Sequence, residues 1–215
     1  MTESRDDRIE WARELYERAV FAGNSGLLVT AERDLDGVEA DLALARGRIL
    51  HARFLAERTE DPRELPLFER AAEVYRQLGD VRGEAESLFW VGAVHQVIRQ
   101  DNAAAAPAFD RARELAVRVE DGLTLSYVLR HLAFAEQAAG RMDAARELME
   151  ESTRLRRDLE FLPGVAANLV ALAVFASGEG RRDQARMLLD EATAIAESSG
   201  AHGVLGWAEE VRAGL

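Results

Sequence analysis

The feature that most constrains this chain is that it repeats itself. The segment AGRMDAARELMEESTRLRR, beginning at Ala139, aligns without a gap on EGRRDQARMLLDEATAIAE, beginning at Glu179, at an offset of 40 residues. Gly140 falls on Gly180, Asp143 on Asp183, Ala145 on Ala185, Leu148 on Leu188 and Glu151 on Glu191. The preceding residues match too: Leu129, Leu132 and Ala133 fall on Leu169, Leu172 and Ala173. A regular period of this length marks stacked units, none of which hides its apolar stripe alone.

Earlier copies are weaker. Phe109 and Ala112 match Met149 and Ser152, while Leu88, Val91 and Gly92 sit 41 residues before Leu129, Leu132 and Ala133. The mismatch places one extra residue in the turn near Gln100–Asp101–Asn102. Before that, Phe68, Arg70, Ala71, Glu73 and Asp80 match Phe109, Arg111, Ala112, Glu114 and Asp121, with a first helix expected over 41–58.

Each copy reads as two helices. Leu129, Leu132, Ala133 and Glu136 follow the i, i+3, i+4, i+7 spacing of one helical face, and so do Ala145, Leu148, Met149 and Ser152. Between them, Gly140 and Gly180 supply left-handed helix ends. Asp143 and Asp183 then serve as caps or first-turn anions for the next helix. No stretch alternates with the period of a strand. At the ends, 8–21 and 27–35 read as a degenerate helix pair. Ala201 to Ala213 reads as a capping helix that turns Leu205, Ala208 and Val211 inward.

This pattern resembles the tetratricopeptide repeat. Leu129, Leu132, Ala133, Glu136, Ala145, Met149 and Ser152 fill that family's slots in one copy. Leu169, Leu172, Ala173, Ala176, Ala185, Leu189 and Ala192 fill them in the next. The period is 40 rather than 34, Glu136 and Ala176 replace the usual aromatic, and no Pro closes the repeats. The longer period is similar to repeats at the C-termini of large bacterial transcriptional activators and signalling ATPases. HEAT-type helix pairs share it. The resemblance implies an all-α, right-handed superhelical solenoid of antiparallel helix pairs with ten or eleven helices. It would be one domain over 1–215: a degenerate pair at 1–38, repeats at 39–80, 81–121, 122–160 and 161–200, and a cap at 201–215.

The resemblance also implies where a ligand sits, along the groove lined by the first helix of each pair. Its positions fall here on Ile49 and Arg53; on Glu86, Phe89 and Gln96; on Tyr127, Arg130, Phe134 and Gln137; and on Val170 and Val174. The aromatics would hold an apolar side chain or helix face. Arg53 and Arg130 would clamp a carboxylate, and the glutamines would bond a peptide backbone. The competing reading is that individual members simply pack against the next helix. The family members that bind chaperone tails use Lys at groove positions. Every basic residue here is Arg, so that specificity is not expected.

Composition narrows the function further. The net charge of −12 opposes nucleic acid and anionic membrane as partners and favours basic or apolar ones. The absence of Cys removes disulfides, thiol catalysis and cysteine metal sites. The absence of Lys removes a P-loop and a Schiff base. Arg in place of Lys, with abundant Ala, points to a GC-rich bacterial genome. MTESRDDRIE has no apolar core of a secretory signal, so a cytoplasmic location is expected. The run from Val165 to Ala176 is too short to span a bilayer. As a helix apolar nearly all round, 165–177 is expected to be buried by the cap.

His51, His95, His131 and His202 form no ligand cluster and match no HExxH, so each reads as an ordinary core, cap or surface residue. Glu86 or Glu136 beside a His is the sole acid–base pairing available, and the spacing gives it no support. Catalytic residues, metals and cofactors are therefore not assigned. The expected function is a non-catalytic scaffold binding a protein or peptide in its groove, with a regulatory role. Two other readings stay open. One is a small-molecule-binding or catalytic protein with the groove closed into a pocket. The other is a homodimeric structural module.

Overall fold

In the computed structural model, which describes residues 6–215, the helices begin and end where local chemistry tells them to. The amino-terminal signal reading rests partly on residues 1–5, which lie outside the described residues. The described residues form ten α-helices and no strand. They fall into two compact units, Met1–Ala108 and Phe109–Leu215, with the division inside α5.

The first unit holds α1 (Asp7–Phe21), α2 (Leu27–Glu57), α3 (Glu64–Leu78) and α4 (Val81–Ala93). A π-helical turn, Val94–Ile98, comes directly after α4, and α5 is Asn102–Arg118. Asp80 caps α4 by accepting from the Gly83 N–H at 3.0 Å. The core gathers Ala40, Ala43 and Leu44 of α2 with Phe68, Ala71, Val74 and Tyr75 of α3 and Val94. Phe68 is fully buried, a contribution of about 2–3 kcal/mol.

Two expectations are corrected here. The helices read at 27–35 and 41–58 are one 31-residue helix, α2. Between Leu35 and Asp41 the sequence offers Asp36 and Gly37 but no Pro, and one Gly weakens a helix without ending it. The inserted residue of the 41-residue spacing lies not in the turn near Gln100 but inside the helix. The Arg99 N–H donates to the Val94 carbonyl five residues back at 3.2 Å. A π turn absorbs one extra residue in this way.

The second unit holds α6 (Gly122–Ala138), α7 (Met142–Asp158), α8 (Leu162–Gly178), α9 (Arg182–Ser199) and α10 (His202–Ala213). Helices α6 and α7 pair, as do α8 and α9. Gly140 and Gly180 both take φ of +76°, the left-handed turn their place in the repeat requires. Asp143 and Asp183 lie in the first turns of α7 and α9 and ion-pair with Arg146 and Arg186 at 3.2 Å. Helix α8 packs against α7, α9 and α10. Its Leu169, Leu172, Ala173 and Phe175 share one core with Met149, Leu189, Val204 and Ala208. Most of the apolar helix is thus covered by its own unit, the cap taking part, while Val174 stays exposed. Val204 and Ala208 are the buried residues of α10, with Leu205 and Val211 packed more loosely beside them.

Candidate functional site

Five of the expected groove residues meet in the second unit. Arg130, Phe134 and Gln137 of α6 and Val170 and Val174 of α8 line a cleft of about 230 Å³. Ala167, Ala171 and Phe175 complete its wall, and Trp207 of α10 stands at it, 48% exposed. The two helices are the first members of their hairpins, so equivalent positions 40 residues apart, Arg130 and Val170, face the same space.

Behind the cleft lies a cationic network. Arg130 Nη1 donates to the Ala167 carbonyl at 3.0 Å and to Asn168 Oδ1 at 2.7 Å. Arg156 of α7 donates from Nη1 to the same Asn168 oxygen and to the Gly164 carbonyl, each at 2.9 Å. Its Nε donates to Ser126 Oγ at 3.2 Å. Asn168 Nδ2 donates to Ser152 Oγ at 2.9 Å, and Ser152 donates onward to the Ser126 carbonyl. Arg156 is 1% exposed, and its Nη2 has no partner.

Among the described residues, no carboxylate acts on either guanidinium. Burial pushes Arg130 down to about 9, with repulsion from Arg156 adding to it. Burial pushes Arg156 down to about 10. Both remain cations at neutral pH. Ring faces supply part of what an acid would: Arg130 lies 4.8 Å from the Phe134 centroid, and Arg156 lies 4.7 Å from Tyr127 and 5.6 Å from Phe161. Tyr127 therefore supports the network from beside the cleft.

The first-unit candidates are placed differently. Ile49 and Arg53 line a cleft of about 530 Å³ between α2 and α3, with Arg46, Leu50, Pro62, Arg63, Pro66 and Leu67. Glu86 ion-pairs with Arg48. Phe89 and Gln96 are corrected as surface candidates. Phe89 is 3% exposed and packs edge-on to Trp90 at 5.0 Å. Gln96 sits buried in the π turn and donates to Asn102 Oδ1 at 2.9 Å. The π turn follows Ala93 and so accounts for the burial of Gln96, whereas Phe89 lies within α4 before it and is a core contact of that helix.

The acid–base pairing gains nothing from the geometry. Arg141 holds the Glu136 carboxyl below the usual carboxylate range through a side-chain hydrogen bond. His51 Nδ1 lies 2.8 Å from Glu64 Oε1 in a buried contact. His131 packs against Phe109 and Phe134.

Arg156, Asn168 and Trp207 do not stand out in the sequence as site residues. For the first two a signal exists. Arg156 falls on Ala116 and Ala196, and Asn168 falls on Val128, at the repeat period. All three matches are fully buried, so a cation and an amide stand at core slots.

Stacked antiparallel helix pairs with a cationic, aromatic cleft on their first helices define a helical-repeat scaffold. The tetratricopeptide repeat family model matches residues 124–198, a stretch that runs from within α6 to within α9. No curated protein matches the sequence. Among solved structures, the crystal structure of BtubC (BKLC) from P. vanneervenii is similar at 17% identity, with a TM-score of 0.48 over 90% of this chain and 89% of that one. Among the described residues, no helix is long and apolar enough to cross a membrane.

Proposed function

We propose that the chain is a non-catalytic binding scaffold, with a regulatory role, whose second-unit cleft takes a segment of a partner protein. That segment presents an acidic group to Arg130 and an apolar or aromatic side chain to Phe134, Val174 and Trp207. One observation carries the reading: Arg130 lines a largely apolar cleft, Arg156 lies buried behind it, and no acid among the described residues acts on either cation. A buried charge that lacks its counter-ion is costly, and a ligand that supplies one recovers part of that cost. Phe134 and Trp207 add aromatic surface of the kind that anchors such contacts. Gln137 offers both a donor and an acceptor to a peptide backbone.

The test is a panel of labelled peptides ending in an aromatic residue followed by a free carboxylate, titrated against the full chain by fluorescence anisotropy. Arg130→Ala and Phe134→Ala are each expected to weaken the best binder by roughly 30-fold, the size of an interface anchor. Amidating the peptide terminus is expected to do the same. Binding indifferent to all three changes would remove the cleft as the site.

A further inference from the structure

Helix α2 carries an apolar seam that its own chain leaves uncovered. Leu28, Leu35, Leu42 and Ile49 recur every seven residues along one face, exposed by 44%, 42%, 48% and 55%. Val38, Ala45 and Ala52 flank them three residues on, half-buried or exposed. Ala31, the first member of that flanking row, is buried beneath α1. A heptad repeat of this length along a helix about 46 Å long is the pattern of a two-stranded coil.

The charges beside the seam choose the partner. Four residues after each seam position stand Glu32, Glu39, Arg46 and Arg53, so the edge is acidic in the first half of the helix and basic in the second. Glu39 pairs with Arg70 at the surface. Glu32 and Arg46 are exposed, and Arg53 acts on Asp61 only through its field, as one of the weaker causes that lower that carboxyl. A helix with this edge is complementary to itself when reversed: Glu32 meets Arg53 of a second copy and Glu39 meets its Arg46, twice each by symmetry. The same register sets Leu35 beside Ala52 and Leu42 beside Ala45. A parallel arrangement instead sets Glu39 against Asp34 and Arg53 against Arg48, two like-charge contacts, with only Arg46 against Asp41 favourable. The cleft between α2 and α3, lined by Arg46, Ile49 and Arg53, is where the acidic, leucine-bearing half of the second helix would lie.

We infer that α2 pairs antiparallel with α2 of a second copy of this chain, across a twofold axis near its midpoint. The interface is isologous. It is a different surface from the second-unit cleft, so Arg130→Ala leaves it intact and the two readings fail separately.

The experiment measures the mass of the full chain by sedimentation velocity over a range of concentrations. A species of twice the 23.8 kDa chain mass is expected. Leu35→Glu with Leu42→Glu is expected to halve the mass with unchanged helical circular dichroism. Should that variant unfold, Glu32→Arg with Glu39→Arg, confined to exposed side chains, halves the mass instead. Mixing it with Arg46→Glu/Arg53→Glu restores the doubled mass. Orientation is read by cross-linking, which the absence of native Cys makes unambiguous. Leu35→Cys mixed with Ala52→Cys is expected to form a disulfide-linked dimer, and neither alone. The 23.8 kDa mass of a single chain at every concentration, or cross-linking of Leu35→Cys with itself, overturns the inference.

Discussion

Arg156 occupies a slot that the neighbouring copies fill with Ala116 and Ala196, and its neighbours have been rebuilt around it. Asn168 is the hub, because one amide oxygen accepts from both buried guanidiniums. Removing the hub and removing a cation are therefore unlike operations. Asn168→Leu leaves two buried charges short of an acceptor and is expected to cost about 3 kcal/mol in urea unfolding. Arg156→Met removes one of those charges, fills similar volume and is expected to be neutral or stabilising. Glu64 offers a second test in the first unit. Burial raises its carboxyl above the usual value, ahead of the opposing hydrogen bond from His51, and its Oε2 has no partner. The folded state thus holds that proton more tightly than the unfolded state. Stability from this group is present at acid pH and is lost as pH rises above the ordinary carboxylate value. Glu64→Gln should flatten that decline, so the gap between variant and native protein, read by thermal melting, shifts in the variant's favour from about pH 4 to about pH 8.

At the scale of the element, two glycines of α2 have opposite roles. A methyl group at Gly37 would meet only Arg8 Nη1 at 3.4 Å and Leu78 Cδ1 at 3.9 Å, which is ordinary contact. Gly37→Ala is expected to stabilise the protein by roughly 0.5–1 kcal/mol through helix propensity. At Gly47 the same methyl would lie 2.5 Å from the Phe68 ring, which is fully buried and cannot retreat. Gly47→Ala is expected to cost about 2 kcal/mol by overpacking. Denaturant midpoints of the two variants should move in opposite directions. The pair also explains how far a sequence can be read alone. Caps, left-handed glycines and the 3.6-residue stripe mark local events, so α6 to α9 were legible from Gly140, Gly180 and their matched leucines. The fusion of α2 was not, because an interior Gly reads as a stop until its surroundings are known. The π turn was visible as one surplus residue, but a spacing does not say whether a loop or a helix absorbs it.

Across the molecule, legibility of the site tracks the regularity of the repeat. Arg130, Phe134, Gln137, Val170 and Val174 lie where the period holds at 40, and they share a cleft. Gln96 lies where it slips, in the π turn, and is buried, while Phe89, before the slip, is buried within α4. Trp207 belongs to the cap, outside the period, and had no counterpart to align with. The same wide view bears on how a partner arrives. The chain carries a net charge of −12, while its second-unit cleft is locally cationic. An acid-ended peptide is therefore repelled at long range and attracted at contact. The two forces have different reach. Repulsion from charges spread over the surface is screened as the Debye length falls from about 30 Å to about 8 Å. A partly buried contact to Arg130 is screened much less. Raising ionic strength through that range is expected to speed association several-fold and leave dissociation nearly unchanged, in stopped-flow anisotropy. Most charged pairs slow down under the same change, because salt weakens the attraction that steers them. Association that slows here would mean that the partner is drawn by the acidic surface, and that the cationic cleft is not its docking point.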